Sequence, residues 1–403
     1  MMGMYKKLFI TVLCIGLLIT GAVYVIETRG ILITPPTAPM PAPTPTPTPS
    51  PTPEPATVVQ YTPPPPEYTE VNEPYVPEYE YEPEPTGPVI TTITINAVGD
   101  ITWGGDRTTM GYRRFMDLYA EHGIDFFLYY TRDIFAQGDL NIANLEGTFT
   151  NSPNRREAVT WAFSAPPHMA RGLAQGNIDV VTIANNHIYD FYRQGYLDTL
   201  EALRAAGVKY FGNAHKTVIE VNGIKVGLFG YMVYVPRRNV ERAIAYLREQ
   251  GAQIIIAYYH WGIMGDTRPQ EHQRHLGRFT LDAGADLVLG AHPHNIQGIE
   301  VHNGRFIVYS LADFSYAGHA NPADLDSFIF QKTFTFIDGE LQLTQDARVL
   351  PLMQASARRP SQNFQPILAV GEDAARIRQR MFTYSGWLNS AENMYIIEAI
   401  LSE

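Results

Sequence analysis

The chain has one cysteine, Cys14. That excludes an intrachain disulfide framework and any thiolate-built zinc or iron–sulfur site. Cys14 lies inside an apolar run, where a thiol packs as a small hydrophobe. Basic charge is also sparse: 30 Lys and Arg stand against 41 Asp and Glu, for a net charge of −11. No block of Lys or Arg occurs, so general nucleic-acid binding, which needs clustered cations against phosphate, is excluded. No Walker loop is present, no glycine cluster forms a GxGxxG opening a helix, and no internal repeat is evident.

What is present falls into three unlike pieces. Residues 8–26 form an uncharged apolar stretch, preceded by Lys6 and Lys7. Its length suits a membrane-spanning helix, and the lysines favour an N-terminus inside and a body outside. A cleaved signal peptide is the rival, with Thr20-Gly21-Ala22 as small residues for cleavage. Both readings export the body; the expected location is a single-pass cell-membrane protein with its C-terminal domain extracytoplasmic. Residues 31–88 follow as a linker, holding 20 of the 30 prolines, all between Pro35 and Pro88. All eight charged residues between those prolines are glutamates. Proline fixes φ and removes donors, so this piece reads as an extended, disordered stalk of at most roughly 170 Å. The remaining 315 residues carry about −5 by difference and suffice for a large core. They divide into a main domain, 89–350, and a C-terminal extension, 351–403.

Within the main domain, β-branched apolar runs recur at 92–98, 140–144, 179–184, 225–231, 253–259, 285–289 and 305–310. Helical patterns at 197–206, 240–249 and 271–283 separate many of them, closed by Gly207, Gly251 and Gly284. This alternation predicts an α/β architecture. Asp338-Gly339 between two further runs predicts a hairpin. One more helix is expected at 372–381.

Metal-capable residues gather at the strand ends. The runs finish in Gly99-Asp100, in Leu145-Glu146-Gly147, in Asn185-Asn186-His187, in His260-Trp261-Gly262 and in Gly290-Ala291-His292-Pro293-His294. In open α/β sheets the carboxyl ends of strands converge on the ligand crevice. Each residue alone also suits a structural role: Asp100 a turn, Glu146 a surface carboxylate, Asn186 a helix cap, His187 and His260 satisfied histidines. Five ends delivering ligand types to one rim favour a metal site. The oxygen and nitrogen set suits Mn, Zn or Fe and does not choose among them. If residues 292–294 are extended, His292 and His294 share a face and can serve two neighbouring cations. Two divalent ions about 3.5–4 Å apart support hydrolysis, with Glu146 the candidate bridge and His187 placed to protonate a leaving group. Arg107, Arg113 and Arg114 are candidates for contact with an anionic substrate. Trp161, Phe163 and Trp261 are candidate cleft walls.

These motifs, with Asn144, Asp190, Gly284-Ala285-Asp286, Gln297 and Tyr309-Ser310-Leu311, recur in an order that resembles the CapA family of capsule poly-γ-glutamate biosynthesis proteins. That family is similar to the calcineurin-like metallophosphatases. The resemblance spans residues 93–314. It implies a four-layer sandwich of two mixed β-sheets flanked by helices, acting at the membrane in poly-γ-glutamate synthesis or export. It implies Asp100, Glu146, Asn186, His260, His292 and His294 as metal ligands and His187 as acid–base residue; Arg107, Trp261 and Asp190 are the candidate substrate-binding residues. The implied partners are a cell-surface anionic polymer or phosphoester and a polymer synthase complex, with no nucleic acid. Departures from the pattern are clear. Ile101-Thr102 follows Asp100, where metallophosphatases carry a histidine, and Glu146 stands where they carry Asp. Met264, Tyr192 and Ala312-Asp313-Phe314 replace Glu, Gly and Gly-Asn-Phe. A non-catalytic assembly subunit is the competing function. An amidohydrolase barrel also uses a His-x-His pair, but near its first strand rather than a late one.

Overall fold

The computed structural model describes residues 87–322, 324–357 and 362–402. The segments expected to anchor the chain and to form the stalk lie outside these residues, apart from Gly87 and Pro88. Among the described residues no helix is long and apolar enough to cross a membrane.

The fold is mixed α/β with two large sheets. The first has nine strands: β1 (Ile90–Thr102), β2 (Leu140–Leu145), β5 (Val180–Thr182), β6 (Lys209–Phe211), β13 (Asp313–Tyr316), β14 (Asp326–Ile337), β15 (Glu340–Gln342), β16 (Ala347–Met353) and β17 (Ile367–Leu368). The second has six: β7 (Thr217–Val221), β8 (Ile224–Met232), β9 (Ile254–His260), β10 (Leu287–Ala291), β11 (Ile299–His302) and β12 (Arg305–Val308). A short parallel pair, β3 (Thr148–Phe149) and β4 (Ser164–Ala165), completes the strands.

The first sheet is parallel from β1 out to its β6 edge and antiparallel from β14 onward, whereas the second is parallel at the centre and antiparallel at both edges. In the first, β1, β2, β5 and β6 run parallel, while β14 pairs antiparallel with β1 and β16. In the second, β8, β9, β10 and β12 run parallel, with β7 and β11 antiparallel at the margins. The buried β-branched runs of the central strands suit a parallel sheet covered on both faces. The hairpin at Asp338-Gly339 forms as expected: both residues have positive φ, 51° and 84°, as a two-residue turn of this kind requires.

Three apolar clusters follow from strand alternation. One draws Ile93 and Ile95 of β1, Phe328 and Phe330 of β14, Val226 of β8, Ile256 of β9 and Leu289 of β10, and so is filled from both sheets. A second uses the opposite side chains of β1, Val98 and Ile101, with Phe115, Phe127, Leu200 and Leu203. These come from the helices Met110–His122 and Tyr192–Ala205 and the turns between them. A third joins Ile255, Tyr259 and Val288 to the helices Arg237–Glu249 and Glu271–Asp282. Each fully buried Leu, Ile or Phe contributes about 1.5–3 kcal/mol relative to exposure.

The last residues are part of this packing. The helices Gly371–Gly386 and Ala391–Ser402 place Ile377, Met381, Ile397 and Ile400 into the cluster shared by the two sheets.

Candidate metal centre

The carboxyl ends of β1, β2, β9 and β10 meet at one rim. Asp100 lies inside β1, where it faces Asn144 of β2 on one side and Asp313 of β13 on the other. Its N–H donates to the Ala312 carbonyl at 3.0 Å. A Cβ on Gly99 would sit 1.7 Å from that same oxygen, so only glycine allows the approach. Asn144 ties the two sheets: its Nδ2 donates to Asp100 Oδ1 at 2.6 Å and lies 3.1 Å from His260 Nδ1. Asn185 Nδ2 in turn donates to Asn144 Oδ1 and to the Leu145 carbonyl.

The ligand-type residues form two groups. Glu146, His260 and His292 make the first; Asp100, His294 and Asp313 make the second. Within each group one donor atom per residue lies within 4.8 Å of the others. Glu146 stands between the groups, with Oε1 3.4 Å from His260 Nε2 and Oε2 4.0 Å from His294 Nδ1. Asn186 Oδ1 is 2.6 Å from His260 Nε2 and joins the first group's edge.

The two histidines of the His-Pro-His segment do divide between the groups, but not through an extended backbone. His292 has φ 98° and His294 φ 58°, both in the left-handed region, and their ring centroids are 6.1 Å apart. The separation therefore comes from a strained turn rather than strand alternation.

Electrostatics distinguish the groups. Burial raises Asp100 well above the usual carboxylate range, with the nearby Glu146 charge adding to it. Burial likewise raises Asp313, against the pull of His294. His294 titrates at about 10, because Asp313, Glu146 and Asp100 outweigh the desolvation that opposes its charge. Its Nδ1 lies 2.7 Å from Asp313 Oδ1, so the second group is internally paired. Burial also opposes the charge on Glu146, yet His294 and His260 hold it well below the usual range. In the first group, burial and the neighbouring His260 push His292 down to about 3, and burial lowers His260. Two atoms of that group, Glu146 Oε1 and His292 Nδ1, are buried without a hydrogen-bond partner. Orphaned acceptors of this kind are costly unless a ligand meets them. Neutral imidazoles beside a carboxylate are the protonation state that cation binding requires.

His187 stands beside the centre as half of a dyad. Its Nδ1 lies 2.6 Å from Asp190 Oδ2, and its ring stacks on Phe163 at 4.0 Å. Asp190 is fully buried, and the same Oδ2 accepts from the Phe163 N–H at 2.8 Å. Asp190 thus lies beneath His187, shielded from solvent. The other two residues expected at the substrate end are also engaged by the protein itself. Trp261 is 0% exposed and packs in the third cluster, its Nε1 donating to the Tyr309 carbonyl at 2.8 Å. As the neighbour of His260, it faces the opposite side of the sheet. Arg107 spends its guanidinium on the protein itself: it donates to Ser164 Oγ and to the carbonyls of Ser152 and Thr150. Arg114 likewise donates to the Gln362 carbonyl. The cleft beside His294 and Asp313 is walled instead by Trp161, Phe163, Met264 and Tyr316.

Asp313 is the functional candidate that sequence reasoning did not assign. The signal was its place after the 305–310 run, where an acid closes a strand. Its pairing opposite Asp100 is a product of tertiary structure.

Residues 94–317 match the family described as bacterial capsule synthesis protein PGA_cap. More than half the chain is covered, and the chain belongs to that family. The "PGA biosynthesis protein CapA" of Bacillus subtilis is 30% identical over 249 residues, covering 56% of this chain and 63% of its own. The "Capsule biosynthesis protein CapA" of Bacillus anthracis is 25% identical over 257 residues, 56% of this chain and 60% of its own. A probable polyglutamine synthesis accessory protein of Mycobacterium tuberculosis is 24% identical over 208 residues, 43% of this chain and 55% of its own. The chain thus spans less than two thirds of the length of each of these relatives.

Proposed function

We propose that this protein acts in synthesis or export of a cell-surface poly-γ-glutamate-like polymer, through a metal-dependent hydrolytic centre in a four-layer, metallophosphatase-type sandwich. The observation that carries the hydrolytic reading is the pair of adjacent donor groups with Glu146 between them, and with buried, unpartnered polar atoms on Glu146 and His292. The donor set, all oxygen and imidazole, fits two divalent ions such as Mn, Zn or Fe. Asp100, Asp313 and His294 would hold one, His260, His292 and Asn186 the other, and Glu146 both. With such ions in place, the centre would have the Lewis-acid chemistry needed to activate water near neutral pH.

The chain's own residues then do the following. Asp190 fixes His187 through Nδ1, leaving Nε2 to give a proton to a leaving group. Phe163 holds the ring plane by stacking, and its own N–H is pinned by the same Asp190. Trp161, 44% exposed, and Met264, 59% exposed, offer an apolar wall where the leaving group sits. An N-terminal anchor and Pro-rich stalk would present this body outside the membrane, beside a polymer synthase complex.

One observation favours a second reading, a non-catalytic assembly subunit. The His294–Asp313 pair satisfies the second group without a cation, so a single ion serving a structural role fits too. The test is hydrolysis of an aryl phosphodiester by the full chain loaded with Mn, Zn or Fe. Turnover lost in both His187→Ala and His292→Ala supports the hydrolase. No turnover with any of the three metals leaves the assembly reading.

A further inference from the structure

The cleft beside the candidate centre has no lysine or arginine in its lining among the described residues. A substrate rich in carboxylates must therefore find its cations elsewhere. They lie next to the His187–Asp190 pair. Arg156 and Arg193 flank a concavity floored by Tyr189, Tyr192 and Tyr196. Both arginines are exposed, and neither has a hydrogen-bond or ion-pair partner for its guanidinium among the described residues. The concavity adjoins the dyad directly, since the Arg156 N–H donates to the Asp190 carbonyl at 2.8 Å.

From there the aromatic surface continues without a break. Tyr189 stacks on Tyr196 at 5.0 Å, and the Tyr196 hydroxyl lies 2.6 Å from His215 Nε2. His215 meets the Tyr210 ring edge-on at 5.2 Å. His215 and Tyr210 belong to a second concavity, whose lining includes Arg204, Lys209 and Lys216. Glu201 offsets one of these cations, pairing with Arg204 at 3.3 Å. Five cations, Arg156, Arg193, Arg204, Lys209 and Lys216, line the two concavities beside these rings, and among the described residues no acidic residue does. Tyr192 adds to this. It holds φ 53°, a conformation that suits glycine, yet displays its ring half-exposed. Backbone strain of this kind at an exposed aromatic is a mark of function.

We infer that this tyrosine–arginine track, from Arg156 to Tyr210, binds a carboxylate-rich polymer chain and leads it to His187. Arginine forks pair with carboxylates, and the rings pack the aliphatic stems between them. The inference deepens the function proposed above by giving its polymer a surface, but the binding itself does not depend on metal. The occupant is a chain in trans.

The test is fluorescence anisotropy of a labelled poly-γ-glutamate oligomer with the full chain, at low and at physiological salt. Saturable binding that weakens with salt is expected. Arg156→Glu combined with Arg193→Glu weakens it about tenfold. Arg238→Glu with Arg242→Glu, the same charge change on the exposed face of another helix, leaves it unchanged. Tyr192→Gly suits the backbone it replaces and so keeps the fold, yet also weakens binding. Chelation leaves binding unchanged, so this track stands or falls apart from the metal centre. Equal losses in the two double variants overturn the inference in favour of bulk charge. Binding seen only after deletion of residues 67–85 overturns the trans occupant and assigns the track to the chain's own segment.

Discussion

His292→Ala separates metal binding from folding. The His292 ring is largely buried, and its Nδ1 has no partner. An unsatisfied buried nitrogen costs about 1–3 kcal/mol. Removing the ring relieves that cost but opens a cavity worth a similar loss. The metal-free variant is therefore expected within about 1 kcal/mol of the parent. The metal-loaded proteins differ. At a free ion concentration of 100 times Kd, binding stabilises the parent by about 2.7 kcal/mol. For a body of this size that raises Tm by roughly 4 °C. The assay is thermal unfolding of both proteins after chelation and after addition of Mn or Zn. The parent should show the shift and His292→Ala should lose most of it. An undiminished shift in the variant would refute the assignment of His292 as a ligand, and with it the reading of its orphaned nitrogen.

Three further outcomes follow from the geometry. Asp190→Asn keeps the shape, and an amide oxygen in the Oδ2 position still accepts from Phe163 and His187, but the carboxylate charge beside the His187 ring is lost. Turnover of an aryl phosphodiester should fall about a hundredfold or more with little change in Tm, and an unaltered rate would remove Asp190 from the dyad. Gly99→Ala puts a methyl group 1.7 Å from the Ala312 carbonyl and should cost about 3 kcal/mol or more, read by urea unfolding. Lys332 is 4% exposed, and burial lowers its amine from 10.5 to about 8. Between those two pH values the unfolded chain binds the extra proton, so stability should rise with pH across that window. Lys332→Met should flatten the rise and gain about 1–3 kcal/mol at pH 7, less whatever is lost at the Asp346 carbonyl and Thr344 hydroxyl it bonds. An unchanged slope would contradict the depressed amine.

The parts of the fold legible in sequence are those set by local pattern. The runs at 225–231 and 253–259 became β8 and β9 almost residue for residue, because buried parallel strands need continuous β-branched stretches. The candidate ligand positions were legible for the same reason: each closes such a run. What escaped depends on contacts distant in sequence. Asp313 becomes a ligand candidate only because β13 runs beside β1. Arg107 is consumed by the carbonyls of Thr150 and Ser152, loop atoms whose position no periodicity reveals. Trp261 was readable in principle, since alternation turns it away from His260. The helix Ala391–Ser402 gave no clear amphipathic stripe, because it wedges against the cluster between the sheets while a tyrosine, Tyr395, stays 75% exposed.

The central claim rests on cations at Glu146, and metal content tests it most directly. The full chain should be purified without chelator, supplemented with Mn, Zn or Fe, desalted and measured for bound metal per chain. Close to two ions is the expected result, falling in both Glu146→Gln and His292→Ala. Metal near zero with all three supplements would contradict it and leave a polymer-binding or assembly protein without a hydrolytic centre.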